Sequence, residues 1–145
     1  MLDEFMPKPL QNVLIIVAVL LVSDNNQATQ AKEPTGLSAE QENELGKAVH
    51  KQVLKTLTIV TPKKDLDRIQ RLAKPFLEMR NRKGIDYTFT IVEDESVNAF
   101  ALPGGHVYVH TGLLNWVAND DELKSVLGHE IGHVDLKHCV ESFTL

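Results

Sequence analysis

Residues 127–133 read Leu-Gly-His-Glu-Ile-Gly-His, with two histidines four positions apart and a glutamate directly after the first. On an α-helix, residues four apart project from nearly the same side, so His129 and His133 can direct their imidazole rings at one point. A Zn²⁺ ion suits that point, because neutral imidazole nitrogens bind it at roughly 2.0–2.1 Å. The spacing therefore predicts that both histidines are zinc ligands on one helix.

Glu130 is predicted to be the catalytic base of such a site. It lies around the helix, beside the coordination positions that two histidines leave open. Zinc lowers the pKa of bound water from about 15.7 toward about 7, so a nearby carboxylate can take its proton at neutral pH. The three residues form the HExxH pattern of a metalloprotease helix. The competing interpretation is an ordinary amphipathic helix that carries these residues by chance.

The residues around HExxH predict a helix with one face in the core. Asn119 and Glu122 form a capping box at its start. Apolar side chains then recur at helical spacing, namely Leu123, Leu127, Ile131 and Val134. The two histidines lie off this stripe, so one face of the helix packs while another presents ligands, as a rigid site requires. We expect this helix to be the last of the chain.

Two earlier helices are predicted to pack around the site. The first begins at the Ser38 to Gln41 capping box and runs to about Leu54. The second begins at Thr61-Pro62 and ends in the turn at residues 81–84. Together with the strands predicted between residues 87 and 110, these helices predict an α+β fold in which helices pack on a small β-hairpin sheet.

Alternating apolar and polar residues at 87–92 predict a strand, and residues 97–102 and 106–110, joined by Pro-Gly-Gly, predict a β-hairpin. An extended polypeptide can add to the free edge of such a hairpin through backbone hydrogen bonds. His106 and His110 lie four apart on a strand that rises about 3.3 Å per residue, so they are too distant to share an ion. We expect neither to be a ligand.

The N-terminus carries an unbroken apolar run at residues 13–22, followed by Ser-Asp-Asn-Asn. Ten residues fall short of the roughly 20 that span a bilayer but suit the apolar part of a secretory signal. The preceding flank is acidic, which export signals are not, and a buried strand or helix is the alternative. We favour export or membrane association, with residues 1–31 as a signal-like segment and linker and residues 32–145 as the folded domain.

The 145-residue chain is 43% apolar and 24% charged, with a net charge of −5. These values are typical of a single globular domain. It has no block of lysine and arginine, so nothing indicates binding to nucleic acid. Cys139 is the one cysteine, which excludes an internal disulfide, and we expect it to pack as a small apolar residue near a helix end.

Three segments resemble the zinc metalloendopeptidases that include the CAAX prenyl protease, HtpX and OMA-type membrane proteases and their periplasmic relatives. The segments are 98–114, 121–123 and 126–134, with a looser likeness from about residue 36 onward. The resemblance implies a gluzincin-type α+β domain with Zn²⁺ as cofactor, His129 and His133 as its ligands and Glu130 as general base. It also implies that the hairpin lines the groove for a polypeptide substrate, at Asn98, Ala99, Phe100, Ala101 and Leu102.

In that family the third zinc ligand is a glutamate on a helix well downstream of HExxH, whereas this sequence continues twelve residues beyond His133. Asp135 points to the far side of the helix, and Glu141 lies roughly 12 Å further along its axis. His138 follows His133 without the glycine turn that the metzincin pattern requires. We therefore expect a partial, C-terminally truncated domain in which the third ligand is missing.

The leading hypothesis is a zinc-dependent metalloendopeptidase that acts on protein substrates, with a role in quality control of membrane or envelope proteins. The first alternative is a non-catalytic truncated remnant that binds polypeptides along its hairpin edge. The second is a structural helix and hairpin module with no metal.

Overall fold

The computed structural model describes residues 37–141, so the apolar run at 13–22 and the predicted domain boundary at residues 31 and 32 lie outside the described chain. The described part forms five α-helices and a four-stranded sheet, which confirms the predicted α+β class. In chain order the elements are α1 (Ala39–Val53), β1 (Ile59–Val60), α2 (Lys63–Met79), β2 (Thr88–Val92), β3 (Ala99–Leu102), a 3₁₀ turn (Pro103–Gly105), β4 (His106–His110), α3 (Thr111–Trp116), α4 (Asp120–Asp135) and α5 (His138–Glu141).

The sheet has the strand order β1-β2-β4-β3. The predicted hairpin is confirmed, because β3 and β4 pair antiparallel through the 3₁₀ turn. The sheet is larger than a hairpin, since β2 pairs in parallel with β4 and β1 pairs antiparallel with β2. Among the described strands, β3 therefore forms one edge of the sheet.

Side chains of β4 alternate between two separate apolar clusters, one on each face of the sheet. Val107 and Val109 pack with α2 and α4, whereas Tyr108 packs with Val49 and Val53 of α1. This alternation follows from the two-residue repeat of a strand, in which successive side chains point to opposite faces. The sheet thus lies between α1 on one side and the α2 and α4 pair on the other.

The predicted helix starts are largely as expected. At α1, Ser38 and Gln41 form both hydrogen bonds of the capping box. At α4, the side chain of Asn119 accepts from the backbone N–H groups of residues 121 and 122. The Glu122 carboxylate, however, accepts from the N–H of Ala118 at 2.8 Å rather than from that of Asn119, so the predicted reciprocal box is wrong in its second bond.

Helix α4 buries the predicted stripe, and all four apolar residues of that stripe lie in the core. The expectation that α4 is the last helix is wrong, because the one-turn helix α5 follows it after a two-residue break. Within residues 37–141, no helix is long and apolar enough to cross a bilayer.

Candidate metal centre

His129 and His133 lie in the second half of α4, and their Nε2 atoms are 2.9 Å apart. The two rings meet edge to face, with centroids 4.4 Å apart. His129 is exposed and His133 is half-buried, while Leu127 and Ile131 on the opposite side are buried. The helix thus brings together the two side chains that the sequence indicated, and their role as ligands stays a prediction.

The distance between these nitrogens tests whether Zn²⁺ fits. In a tetrahedral site with bonds of roughly 2.0–2.1 Å, two ligand nitrogens lie about 3.3 Å apart. The 2.9 Å separation of His129 and His133 is a few tenths of an ångström shorter, so a small ring rotation would accommodate the ion. Residues 37–141 contain no group of three or more His, Cys, Asp or Glu side chains arranged to hold a metal ion. The separation of the two nitrogens is thus compatible with His129 and His133 as two ligands of one zinc ion.

Glu130 is half-buried beside His129, and burial raises the pKa of its carboxyl to about 7. Its charge also acts on Cys139, whose thiol has a pKa raised to about 12, chiefly by burial and then by Glu130. A carboxyl with a pKa near neutrality can both accept and release a proton at neutral pH, which general acid–base catalysis requires.

His133 is also in contact with a third histidine that the sequence did not predict to face it. The Nδ1 atoms of His133 and His138 are 3.0 Å apart. Burial lowers the pKa of His133, and the charges of His129 and His138 lower it further, which favours the neutral imidazole. The contact depends on Lys137, a non-glycine residue with a φ of 63° that no sequence pattern indicated.

The C-terminal end of α4 is anchored to the segment that follows α2. The Asp135 carboxylate accepts from the backbone N–H of Asn81 at 3.0 Å and from that of Arg82 at 2.8 Å. Arg82 also donates to the carbonyl of Val134 at 2.7 Å. Asp135 therefore faces away from His133, as expected, and its carboxylate anchors the segment that follows α2.

Arg82 continues this network into the interior. Its guanidinium pairs with the fully buried carboxylate of Glu42 on α1, and the same carboxylate accepts from the N–H of Gly104 at 3.1 Å. A buried charge is tolerated only where it is paired and hydrogen-bonded, and both conditions are met here. Glu42 thus connects α1, the 3₁₀ turn and the end of the HExxH helix.

The predicted substrate-contacting segment lies at the sheet edge beside α4. Ala99, Phe100, Ala101 and Leu102 form β3, Asn98 directly precedes it, and β3 packs against α4. The N–H of His110 donates to the carbonyl of Asn98 at 3.0 Å. Hydrogen-bonded and non-hydrogen-bonded pairs alternate in an antiparallel ladder, so the backbone groups of residues 98, 100 and 102 point toward β4.

The backbone groups of Ala99 and Ala101 consequently point away from β4, toward the outer edge of the described sheet. One of them has a partner, because the Sγ of Cys139 donates to the carbonyl of Ala101 at 3.6 Å. This contact places α5 against the edge strand. It also buries Cys139, as predicted for a small residue near a helix end.

His106 and His110 lie on the α1 side of the sheet, and both are buried. The Nδ1 of His106 lies 2.7 Å from Oγ1 of Thr88, and the Nδ1 of His110 lies 2.8 Å from Oγ of Ser96. His106 also stacks on His50, with ring centroids 4.4 Å apart. These rings are packed into the second apolar cluster, across the sheet from α4.

An HExxH motif on a helix is typical of metal-dependent peptidases. Residues 62–145 match Peptidase family M48, and the chain therefore belongs to that family. The predicted resemblance to metalloendopeptidases of this type is confirmed.

The chain is also similar to curated proteins that are named as metalloendopeptidases or proteases. Mitochondrial metalloendopeptidase OMA1 of Arabidopsis thaliana is 44% identical over 62 residues, which are 43% of this chain and 13% of that protein. The beta-barrel assembly-enhancing protease of Yersinia pestis is 31% identical over 106 residues, which are 73% of this chain and 22% of that protein. The mitochondrial metalloendopeptidase OMA1 of Homo sapiens is 42% identical over 57 residues, which are 39% of this chain and 11% of that protein. The chain thus spans less than a quarter of the length of these relatives.

Proposed function

We propose that this chain carries the HExxH portion of a zinc-dependent metalloendopeptidase of the gluzincin type, which hydrolyses peptide bonds in protein substrates. The observation that carries the proposal is the 2.9 Å approach of the His129 and His133 Nε2 atoms, with Glu130 beside them, in a chain of Peptidase family M48. We further propose export or membrane association and a role in quality control of membrane or envelope proteins. The names of two relatives, a mitochondrial metalloendopeptidase and a beta-barrel assembly-enhancing protease, support this proposal.

His129 and His133 would hold the ion through Nε2. When bound, Zn²⁺ supplies Lewis acidity, which polarises a peptide carbonyl and lowers the pKa of water. Glu130 takes a proton from the attacking water on its carboxylate and passes it to the amine of the departing peptide fragment. Without metal, burial raises the pKa of Glu130 to about 7. A bound cation would lower that pKa and favour the carboxylate form that accepts the proton.

The substrate would lie along β3 as an additional strand. The N–H and carbonyl of Ala99 and the N–H of Ala101 point away from β4 at the outer edge of the described sheet, in the direction that strand addition uses. The carbonyl of Ala101 already accepts from Cys139, so we assign the main pairing to Ala99. Residues 98–102 then orient the peptide beside the helix that carries Glu130.

The test is zinc titration and casein hydrolysis by the wild-type chain, E130Q and H133Q. We expect E130Q to bind zinc like the wild type but to hydrolyse casein about 10²–10⁴-fold more slowly, since it loses proton transfer. H133Q should lose both zinc binding and hydrolysis. Equal hydrolysis by wild type and E130Q would overturn the proposal, as would zinc affinity in H133Q equal to that of the wild type.

One observation favours a second candidate function, a non-catalytic module that binds polypeptides along β3. Residues 37–141 supply only two metal donors at the site, and two ligands hold zinc less firmly than three. This candidate predicts casein binding that a chelator leaves unchanged, with no hydrolysis. Binding lost together with zinc would exclude it.

A further inference from the structure

We propose that His138 is a positioning residue for the metal site: it accepts a hydrogen bond from Nδ1 of His133 and so leaves Nε2 of His133 unprotonated and directed at the ion. The inference rests on the proposed zinc site. It assigns a function to a histidine that lies outside HExxH.

The contact itself is specific to one ring nitrogen. Nδ1 of His133 lies 3.0 Å from Nδ1 of His138, while Nε2 of His133 lies 2.9 Å from Nε2 of His129. The ring of His138 therefore contacts the nitrogen of His133 that faces away from His129. For this reason His138 is placed to orient His133 rather than to share the same ion with it.

The backbone adopts an unusual conformation at the residue that makes this contact possible. In an unbroken α-helix, residues five apart lie about 140° apart around the axis, so His133 and His138 would not face each other. Helix α4 instead ends at Asp135, and Lys137 takes a φ of 63°, a conformation typical of glycine. The N–H of Lys137 donates to the carbonyl of Val134 at 3.1 Å, and α5 begins at once with His138.

Proton positions follow from the two short contacts of His133. A neutral imidazole carries one donor and one acceptor nitrogen. Either Nδ1 donates to His138 and Nε2 accepts from His129, or Nε2 donates to His129 and Nδ1 accepts from His138. Only the first arrangement leaves Nε2 of His133 free of a proton for a metal. Metal-binding histidines commonly donate their other ring N–H to an acceptor, and His138 occupies that place here.

The experiment uses the full chain and three variants, H138L, H138N and H129L. H138L removes the acceptor, whereas H138N keeps an oxygen close to the position of Nδ1. Without metal, ¹⁵N NMR of the imidazoles reads which nitrogen of His133 carries the proton. With metal, competition against a chromophoric chelator measures zinc affinity. The visible absorption of Co²⁺ bound in place of zinc reports the coordination geometry.

We expect His133 to carry its proton on Nδ1 in the wild type and in H138N, and to shift toward Nε2 in H138L. Zinc affinity should fall about 10–100-fold in H138L and be largely restored in H138N, with an unchanged Co²⁺ spectrum. Because His138 is exposed, circular dichroism of H138L should match the wild type.

Three outcomes would overturn the inference. They are a wild-type His133 protonated on Nε2, equal tautomer and zinc affinity in wild type and H138L, and a Co²⁺ spectrum of H138L that collapses as in H129L, which would make His138 a ligand. Failure of the proposed function is distinguishable. If the proposed function fails, the wild-type chain binds no zinc. The tautomer of His133 is measured without metal, so that result does not depend on zinc binding.

Discussion

Gly128 faces the ring of Phe76 so closely that a β-carbon on this glycine would lie 2.8 Å from two ring carbons. Gly128 directly precedes His129, and Phe76 belongs to α2, so this approach sets how near the HExxH helix lies to its neighbour. A β-carbon on Gly132, one turn further along α4, would meet nothing within 4 Å. Gly128 is therefore needed for the close approach of Phe76, whereas no contact within the described chain limits the size of residue 132.

Replacing each glycine by alanine should therefore have opposite effects. G132A should raise the free energy of unfolding by about 0.5–1 kcal/mol, because alanine loses less backbone entropy in a helix. G128A should lower it by about 1–3 kcal/mol, because the β-carbon forces the Phe76 ring or the helix to move. Urea denaturation measures both, and stabilisation by G128A would contradict the close packing of Gly128 against Phe76.

The buried ion pair predicts a large loss of stability when it is broken. E42A leaves the guanidinium of Arg82 without its partner and should lower the free energy of unfolding by about 3–5 kcal/mol. The matched control is E44A on the same helix, where the carboxylate forms an exposed pair with Lys47 at 2.8 Å. Such pairs contribute about 0–1 kcal/mol, so E44A should be close to neutral in urea denaturation. Comparable losses in the two variants would argue against the Glu42 network.

The edge strand predicts that a proline at residue 99 weakens peptide binding without unfolding the chain. The N–H of Ala99 points away from β4, so A99P breaks no bond of the β3–β4 ladder. Loss of its bond to a bound strand should weaken binding by about 1–3 kcal/mol. The measurement is casein-peptide affinity in an E130Q background, with A99S as the control that keeps the N–H and a small side chain at this buried position. F100P should unfold the sheet, because its N–H points toward Tyr108. Unchanged affinity in A99P would show that peptides bind elsewhere.

Stability should fall as the pH drops below neutrality, because His106 is buried in its neutral form. Burial, and then the charge of His50, lowers the pKa of His106 to about 4, with Asp86 acting in the opposite direction. The unfolded chain binds that proton near pH 6.5, so between about pH 6.5 and 4 it takes up a proton that the folded chain does not. The sign is therefore a loss of stability on acidification, of at most about 1.4 kcal/mol per pH unit for one group.

H106N should flatten this pH dependence while keeping an acceptor for the hydroxyl of Thr88. Urea denaturation at pH 7, 6 and 5 gives the slope for each protein. An equal slope in the wild type and H106N would assign the effect to other groups, of which His110 is the first candidate because burial lowers its pKa too.

Local features of the fold could be predicted from the sequence, because each depends on residues close together in the chain. The capping box at Ser38, the buried stripe that includes Leu127 and the Pro-Gly-Gly hairpin are of this kind. The parallel pairing of β2 with β4 could not be predicted in the same way. In this sheet β3 lies at the edge and β4 lies between β2 and β3. Which strands become neighbours depends on packing on both faces of the sheet, not on residues close together in the chain.

The same distinction between local and distant residues applies to the candidate site. The four-residue spacing of His129 and His133 follows from helix geometry, so their approach was predictable. The contact with His138 was not, because it requires a left-handed residue at position 137 and lysine has no preference for that conformation. The partners of Arg82 were equally hidden, since Glu42 and Val134 are distant from it in sequence.

Glu42 precedes residue 62, the point at which the match to Peptidase family M48 starts. A polypeptide beginning at residue 62 would keep HExxH but lose the carboxylate that neutralises Arg82, and with it a support for the final turn of α4. The folding unit therefore reaches further toward the N-terminus than family membership alone would indicate, and α1 belongs to the smallest fragment worth expressing.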